Sequence, residues 1–260
     1  MDLQSCAEPS PRRAPAVRRS KLALAQHAYG AAECSSGAFI SFMTGTADDH
    51  YFSERALRDW TVIAEKHRLR DECFLRALAK YFRPGPILEI GAATGHLSEI
   101  LKQRGHDVTA SDVSPRFVAA IAARGVPAKI VDATGDIHLQ AGRRFANVLA
   151  QNVIPLIRRN RDTLFATLKS IHAALEPSGR LICINARTAR CQTPEAFFHP
   201  REQADIMRSA GLFRVVRIFP HQVVPTGWYK PWNAALFNLA DFHLARIAAV
   251  RLVSVMEKIG

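Results

Sequence analysis

No apolar run in this chain of 260 residues approaches the roughly eighteen uncharged residues that a membrane-spanning helix needs. The sequence is not that of an integral membrane protein. Cysteine is scarce as well: Cys6, Cys34, Cys73, Cys183 and Cys191 are odd in number, widely spaced and form no C-x-x-C. That excludes a disulfide framework and the common zinc motifs, so no metal is expected and the reducing cytoplasm is the expected location. Acidic residues are in deficit. Against 35 Lys and Arg stand 23 Asp and Glu, a net charge of +12, which points to an anionic partner or surface without naming one. Two glycines of a dinucleotide fingerprint are also missing, because G-x-G-x-x-G would need glycine where Ala93 and His96 stand.

What is present centres on Pro86 to Leu97. Ile87, Leu88 and Ile90 form a short apolar run bounded by turn residues, as in a central parallel strand. Leu97, Ile100 and Leu101 then recur at helical spacing. A strand that turns this tightly into a helix holds a ligand at its carboxyl end. Gly91 and Gly95 can take positive φ and carry no Cβ, so backbone can approach a ligand while the first helical amides point at its anionic group.

The string Glu89-Ile-Gly91-Ala92-Ala93-Thr-Gly95 resembles motif I, E/D-x-G-x-G-x-G, of the class I S-adenosylmethionine-dependent methyltransferases. Ala93 occupies the middle glycine position and fits the loop provided its φ is negative. Three further segments follow in the family's order. Asp107 to Asp112 reads as a second strand ending in an acid twenty-one residues after Gly91, Pro127 to Asp132 as a third, and Phe145 to Ala150 as a fourth. Leu175-Glu-Pro-Ser178-Gly179-Arg-Leu is similar to the family's L-x-P-G-G-x-L turn into strand five, with Gly179 expected to supply the backbone freedom that Ser178 lacks.

The resemblance covers about residues 84–186 and implies a cofactor, S-adenosyl-L-methionine. Glu89, Gly91, Ala92, Ala93 and Gly95 would shape its methionine end, Asp112 and Val113 its ribose end, and Asp132 and Ala133 its adenine end. Gln151 would stand at the rim where cofactor and acceptor meet. Asp112 could instead be a turn or cap residue, and Asp132 an ordinary exposed loop acid.

The expected fold is α/β: a Rossmann-like, seven-stranded, mostly parallel sheet with helices on both faces. N-terminal helices would cover the cofactor, and a helical insertion would precede an antiparallel last strand. Residues 1–45 read as a disordered, proline-containing basic extension, with Met43 as an alternative start. Gln26 and His27 interrupt its apolar stretch too early for a signal peptide. Residues 46–260 would form the methyltransferase domain. Within it, 46–83 supply the cover helices, with His50-Tyr51-Phe52 at their entrance and a break near Asp71 between two apolar groups. Residues 84–186 form the cofactor core, and 220–250 a substrate-side insertion. In the insertion Leu236, Leu239, Ala240, Leu244 and Ile247 share one helical face, which either packs on the protein or meets a lipid surface or acyl chain.

Methyl transfer from a sulfonium is an in-line displacement in which alignment and exclusion of water carry much of the rate. A base is needed only for a hydroxyl or protonated amine. No catalytic residue is assigned; His50, His138, His199 and His221 are the histidines near predicted rims. The acceptor is read as a small molecule, a lipid-linked compound or a glycan, methylated at oxygen and anionic where it meets Arg158, Arg159 and Arg161. Peripheral membrane contact is compatible with this. Nucleic acid is disfavoured, because N/D-P-P-Y/F is absent and the basic residues lack aromatic interleaving. The alternative is a non-catalytic scaffold that keeps the fold to bind a partner.

Overall fold

The computed structural model describes residues 53–157, 161–186, 200–222, 224, 226–243 and 251–260. The expectations for the extension, for His50 to Phe52, for Arg158, Arg159 and His199, and for Leu244 and Ile247 lie outside these residues. The chain begins its described part with α1 (Glu54–Leu78), opened by Ser53, whose hydroxyl accepts from the Ala56 N–H at 3.1 Å. The sequence predicts two helices here. The structure has one of 25 residues that runs straight through Asp71. Arg70 and Asp71 interrupt the apolar pattern yet are both buried, and the guanidinium donates to the carboxylate at 2.9 and 3.0 Å. A buried ion pair lets the helix continue where a break was expected.

Alternating strands and helices follow: β1 (Ile87–Ile90), α2 (His96–Gln103), β2 (Val108–Asp112), α3 (Pro115–Ala123), β3 (Ala128–Ile130), α4 (Ile137–Ala141), β4 (Phe145–Gln151), α5 (Val153–Ile157), α6 (Arg161–Ala174) and β5 (Leu175–Ala186). The chain then forms α7 (Pro200–Ser209), β6 (Phe213–His221), a short 3-10 turn (Thr226–Trp228), α8 (Ala234–His243) and β7 (Arg251–Lys258). The sheet order is β3-β2-β1-β4-β5-β7-β6. The first five strands run parallel, and β7 lies antiparallel between β5 and β6.

Side chains alternate across each strand, and the alternation separates two cores. Leu88, Val148, Leu181 and Met256 point into one with α6 and Met207 of α7, while Ile87, Leu149, Ile182 and Val255 point into the other with α1, α2 and Ile121 of α3. Both faces of the sheet are therefore covered, as a parallel sheet requires.

Two turns differ from the expectation drawn from glycine. At the entry to the long run of β5, Ser178 itself takes φ +58°, and Gly179 does not need a left-handed conformation. Gly179 is required for space: a Cβ there would lie 2.9 Å from the Glu176 carbonyl and 3.2 Å from that of Ala146. Ala93 likewise adopts φ +48°, so the condition of negative φ fails, and the loop carries a conformation that costs an L-residue about 1–2 kcal/mol.

Candidate functional site

Strand register decides where the site lies. Ile90 is level with Ser111 and Ala150, and Asp112 is level with Ile130. The carboxyl ends of β3, β2, β1 and β4 thus present Asp132, Asp112, Gly91 and Gln151 along one edge, spanning three inter-strand steps or about 14 Å. This is the crevice where open α/β sheets take ligands.

The glycine loop is built by both of its strands. Ala92 N–H donates to the Ser111 carbonyl at 2.8 Å and Gly95 N–H to the Ala92 carbonyl at 2.8 Å, which closes the turn. Gly91 and Gly95 take φ +65° and +72°. Gly95 also packs where a Cβ would meet Ile121 at 2.8 Å, so its absence of a side chain lets α3 approach. Asp112 is fully buried, and its two oxygens accept from Ala93 N–H and Ser114 N–H, each at 2.9 Å. The acid expected at the ribose therefore also holds Ala93 in its left-handed conformation. A carboxylate has roughly four acceptor sites, so fastening the loop and receiving a diol are compatible roles.

Glu89, expected at the methionine end, lies within β1. Its carboxylate, buried in β1, accepts from the hydroxyl and backbone N–H of Ser98 and so caps the first turn of α2. Burial pushes its carboxyl up from 4.5 to about 7, against the Ser98 hydrogen bonds and with help from the Asp112 and Asp71 charges. Between those values the native protein holds a proton that the unfolded chain has lost. Stability therefore falls as pH rises from 4.5 through about 7, and the loss is about 3 kcal/mol over the whole window. Glu89→Gln should flatten this slope in denaturant titrations at about pH 5 and about pH 8; an equal slope in both proteins would assign it to other groups.

Of the remaining expected residues, Val113 is exposed beside Asp112, and Ala133 packs against the core. Asp132 is exposed, and its carboxylate accepts from the N–H and hydroxyl of Thr134 at 2.8 and 2.7 Å. Its backbone is clamped by Gln140, which accepts from the Asp132 N–H at 2.8 Å and donates to its carbonyl. Gln151 ends β4 half-buried, and Asn152 after it takes φ +57°. His138 lies on α4, near the Arg143 carbonyl.

The same edge continues through β5, β7 and β6, where Ala186, Arg251 and His221 are level. There α1 and α2 add a buried polar cluster, of whose members the sequence reading named only His221 as a rim residue. Asp71 lies 3.4 Å from Arg251 and 3.6 Å from His96, the residue directly after Gly95. His221 is fully buried against the rings of Phe74 and Phe242. Desolvation, with Arg251 and Arg70 nearby, holds its imidazole well below the ordinary value. His67 is lowered to about 3 for the same reasons, burial first. Burial thus keeps the His221 and His67 imidazoles neutral. Among the described residues no cluster of His, Cys, Asp and Glu could hold a metal.

Comparison with known proteins agrees with this geometry. A family model described as a methyltransferase domain matches residues 62–214. The fold is similar to that of a TehB-like S-adenosylmethionine-dependent methyltransferase from Corynebacterium glutamicum, at 18% identity, 80% of this chain, 98% of that one and a TM-score of 0.56. It is also similar to a possible histamine N-methyltransferase from Thermotoga maritima, at 17%, 80%, 98% and 0.57. A third is the glycopeptide N-methyltransferase MtfA, complexed with S-adenosylmethionine, at 16%, 71%, 86% and 0.52. No curated protein matches the chain.

Proposed function

Because this chain belongs to the methyltransferase-domain family, we propose that it moves a methyl group from S-adenosylmethionine to the oxygen of a small-molecule, lipid-linked or glycan acceptor. The observation that carries the reading is the bond between Asp112 and the Ala93 N–H, which joins the ribose-side acid to the glycine loop in a single preformed edge. The residues fit the cofactor. Gly91 takes the left-handed turn that ends β1, the start of α2 offers amides to a carboxylate, and Asp112 offers an acceptor for a diol. Val113 is exposed next to it. Asp132 and Ala133 stand at the adenine end and Gln151 at the acceptor end.

When bound, S-adenosylmethionine supplies a methyl group on a positively charged sulfur. This chain's residues align it, exclude water with α1 and α8, and take up the acceptor's proton where the acceptor is a hydroxyl. In the adjoining cluster His221 is buried and held neutral, while Arg70 and Arg251 are both paired with Asp71. Transfer to oxygen rather than nitrogen, and the choice among the three acceptor classes, are part of the proposal.

Calorimetric titration with S-adenosylmethionine and S-adenosylhomocysteine tests it. Both should bind, and Asp112→Ala should weaken them tenfold or more, about 1.4 kcal/mol. Unchanged affinity in the variant would remove Asp112 from the ribose. No binding by a folded wild type would favour the scaffold reading.

A further inference from the structure

The insertion between β6 and β7 exposes large apolar side chains on a rigid base. Asp241, fully buried in α8, accepts from the Tyr229 hydroxyl at 2.5 Å and the Val224 N–H at 2.7 Å. Asn233 braces the turn that leads into α8, accepting from Lys230 N–H and donating to the Trp228 carbonyl. Phe242 stacks among Phe74, Phe219 and His221. The other side of this pinned segment faces solvent: Trp228 is 63% exposed, Trp232 85%, Leu236 65% and Leu239 55%.

Three features make this more than scattered surface residues. First, Trp232 precedes Asn233, whose carbonyl accepts the first helical bond from Phe237. A residue there normally packs against the fourth helical position, but Phe237 stacks edge-on with Tyr229 and leaves Trp232 outside. Second, α8 carries apolar side chains outward as well as inward, since Ala234 and Phe242 face inward while Leu236 and Leu239 face outward. Third, all four lie within one stretch of the chain, from Trp228 to Leu239, so the exposure is concentrated on a single segment.

We propose that this face docks on the surface of a bilayer bearing anionic headgroups. Tryptophan is the side chain suited to the headgroup boundary, with an apolar body and one N–H. The charge agrees: the protein carries +12, and residues 1–45 hold only five basic against three acidic residues, so the excess lies in residues 46–260. Lys230 stands exposed between the two tryptophans. No helix among the described residues is long and apolar enough to cross a membrane, so contact would be from one side. Only the corollary, a lipid-linked acceptor, rests on the transfer reading.

The test is co-sedimentation of the full chain with vesicles of phosphatidylcholine alone and with about a third phosphatidylserine, for wild type and for Trp232→Ser/Leu236→Ser. Both replaced residues are exposed, so the fold is retained, which circular dichroism checks. Wild type should bind the anionic vesicles at least tenfold better than the neutral ones, less so as salt rises, and the double variant should lose at least tenfold. Neither cofactor nor acceptor enters, so this result and that of the cofactor titration stand or fall separately. Absence of binding to anionic vesicles, or equal binding by the variant, overturns the proposal. So does concentration-dependent dimerisation that the variant abolishes, which would assign the face to a second copy.

Discussion

Asp71→Ala is expected to lower the stability of the fold by about 3–5 kcal/mol, the usual cost of removing one partner from a buried ion pair. Arg70 is 1% exposed and Asp71 3% exposed, so neither group regains water when the other is lost. Burial alone would push the Asp71 carboxyl up, but Arg70 first, then His96 and Arg251, outweigh it and hold it well below its ordinary 3.8. A depressed carboxyl contributes stability that is complete above 3.8 and is lost only as pH falls through the lower, native value. The effect should therefore be full at neutral pH and persist into strongly acidic solution. Urea unfolding of the variant measures it. A loss under about 1 kcal/mol would mean that the cluster is not the electrostatic junction of α1, α2 and β7 described above.

Gly91→Ala should be comparably severe and should also reach the cofactor. Its added Cβ would lie 2.4 Å from Cγ2 of Val153, at the start of α5 and behind a strand end that cannot shift without disturbing β4. The residue also holds φ +65°. Left-handed strain of about 1–2 kcal/mol and overpacking of about 1–3 kcal/mol together predict a loss near 2–5 kcal/mol. Because Gly91 opens the loop, affinity for S-adenosylhomocysteine should fall about a hundredfold, near 2.7 kcal/mol. Thermal unfolding with calorimetry separates the two effects. Gly91→Ala/Val153→Ala removes the steric part and should recover stability; if it recovers none, the clash is not the cause.

Much of the fold was legible because its signals are local. The strand–turn–helix of Ile87 to Leu101, the strand-end acids Asp112 and Asp132 and the Leu175 to Leu181 turn are each written in a short stretch of sequence, and they occur in chain order. Backbone conformation at single positions was less legible. Ala93 and Ser178 stand where glycine is expected, and both adopt the left-handed conformation anyway, since tertiary bonds such as Asp112 to Ala93 N–H hold it. The helix break expected near Asp71 shows the opposite limit, because a polar interruption marks a helix end only if its charges find no partner inside. The cluster of Asp71, His96, His221 and Arg251 was invisible for a third reason. Its members come from four elements, and only the placement of β7 between β5 and β6 brings them level.

That placement also governs how the chain can be made. A ribosome adding about 5–20 residues each second releases β6 seconds before β7, the strand that must separate it from β5. Until Arg251 to Lys258 arrive, β5 and β6 each present an unpaired edge to whatever is nearby. The nascent protein therefore completes its sheet from the inside, by admitting its last strand between two that are already waiting, and this interval is when a chaperone would have most to guard.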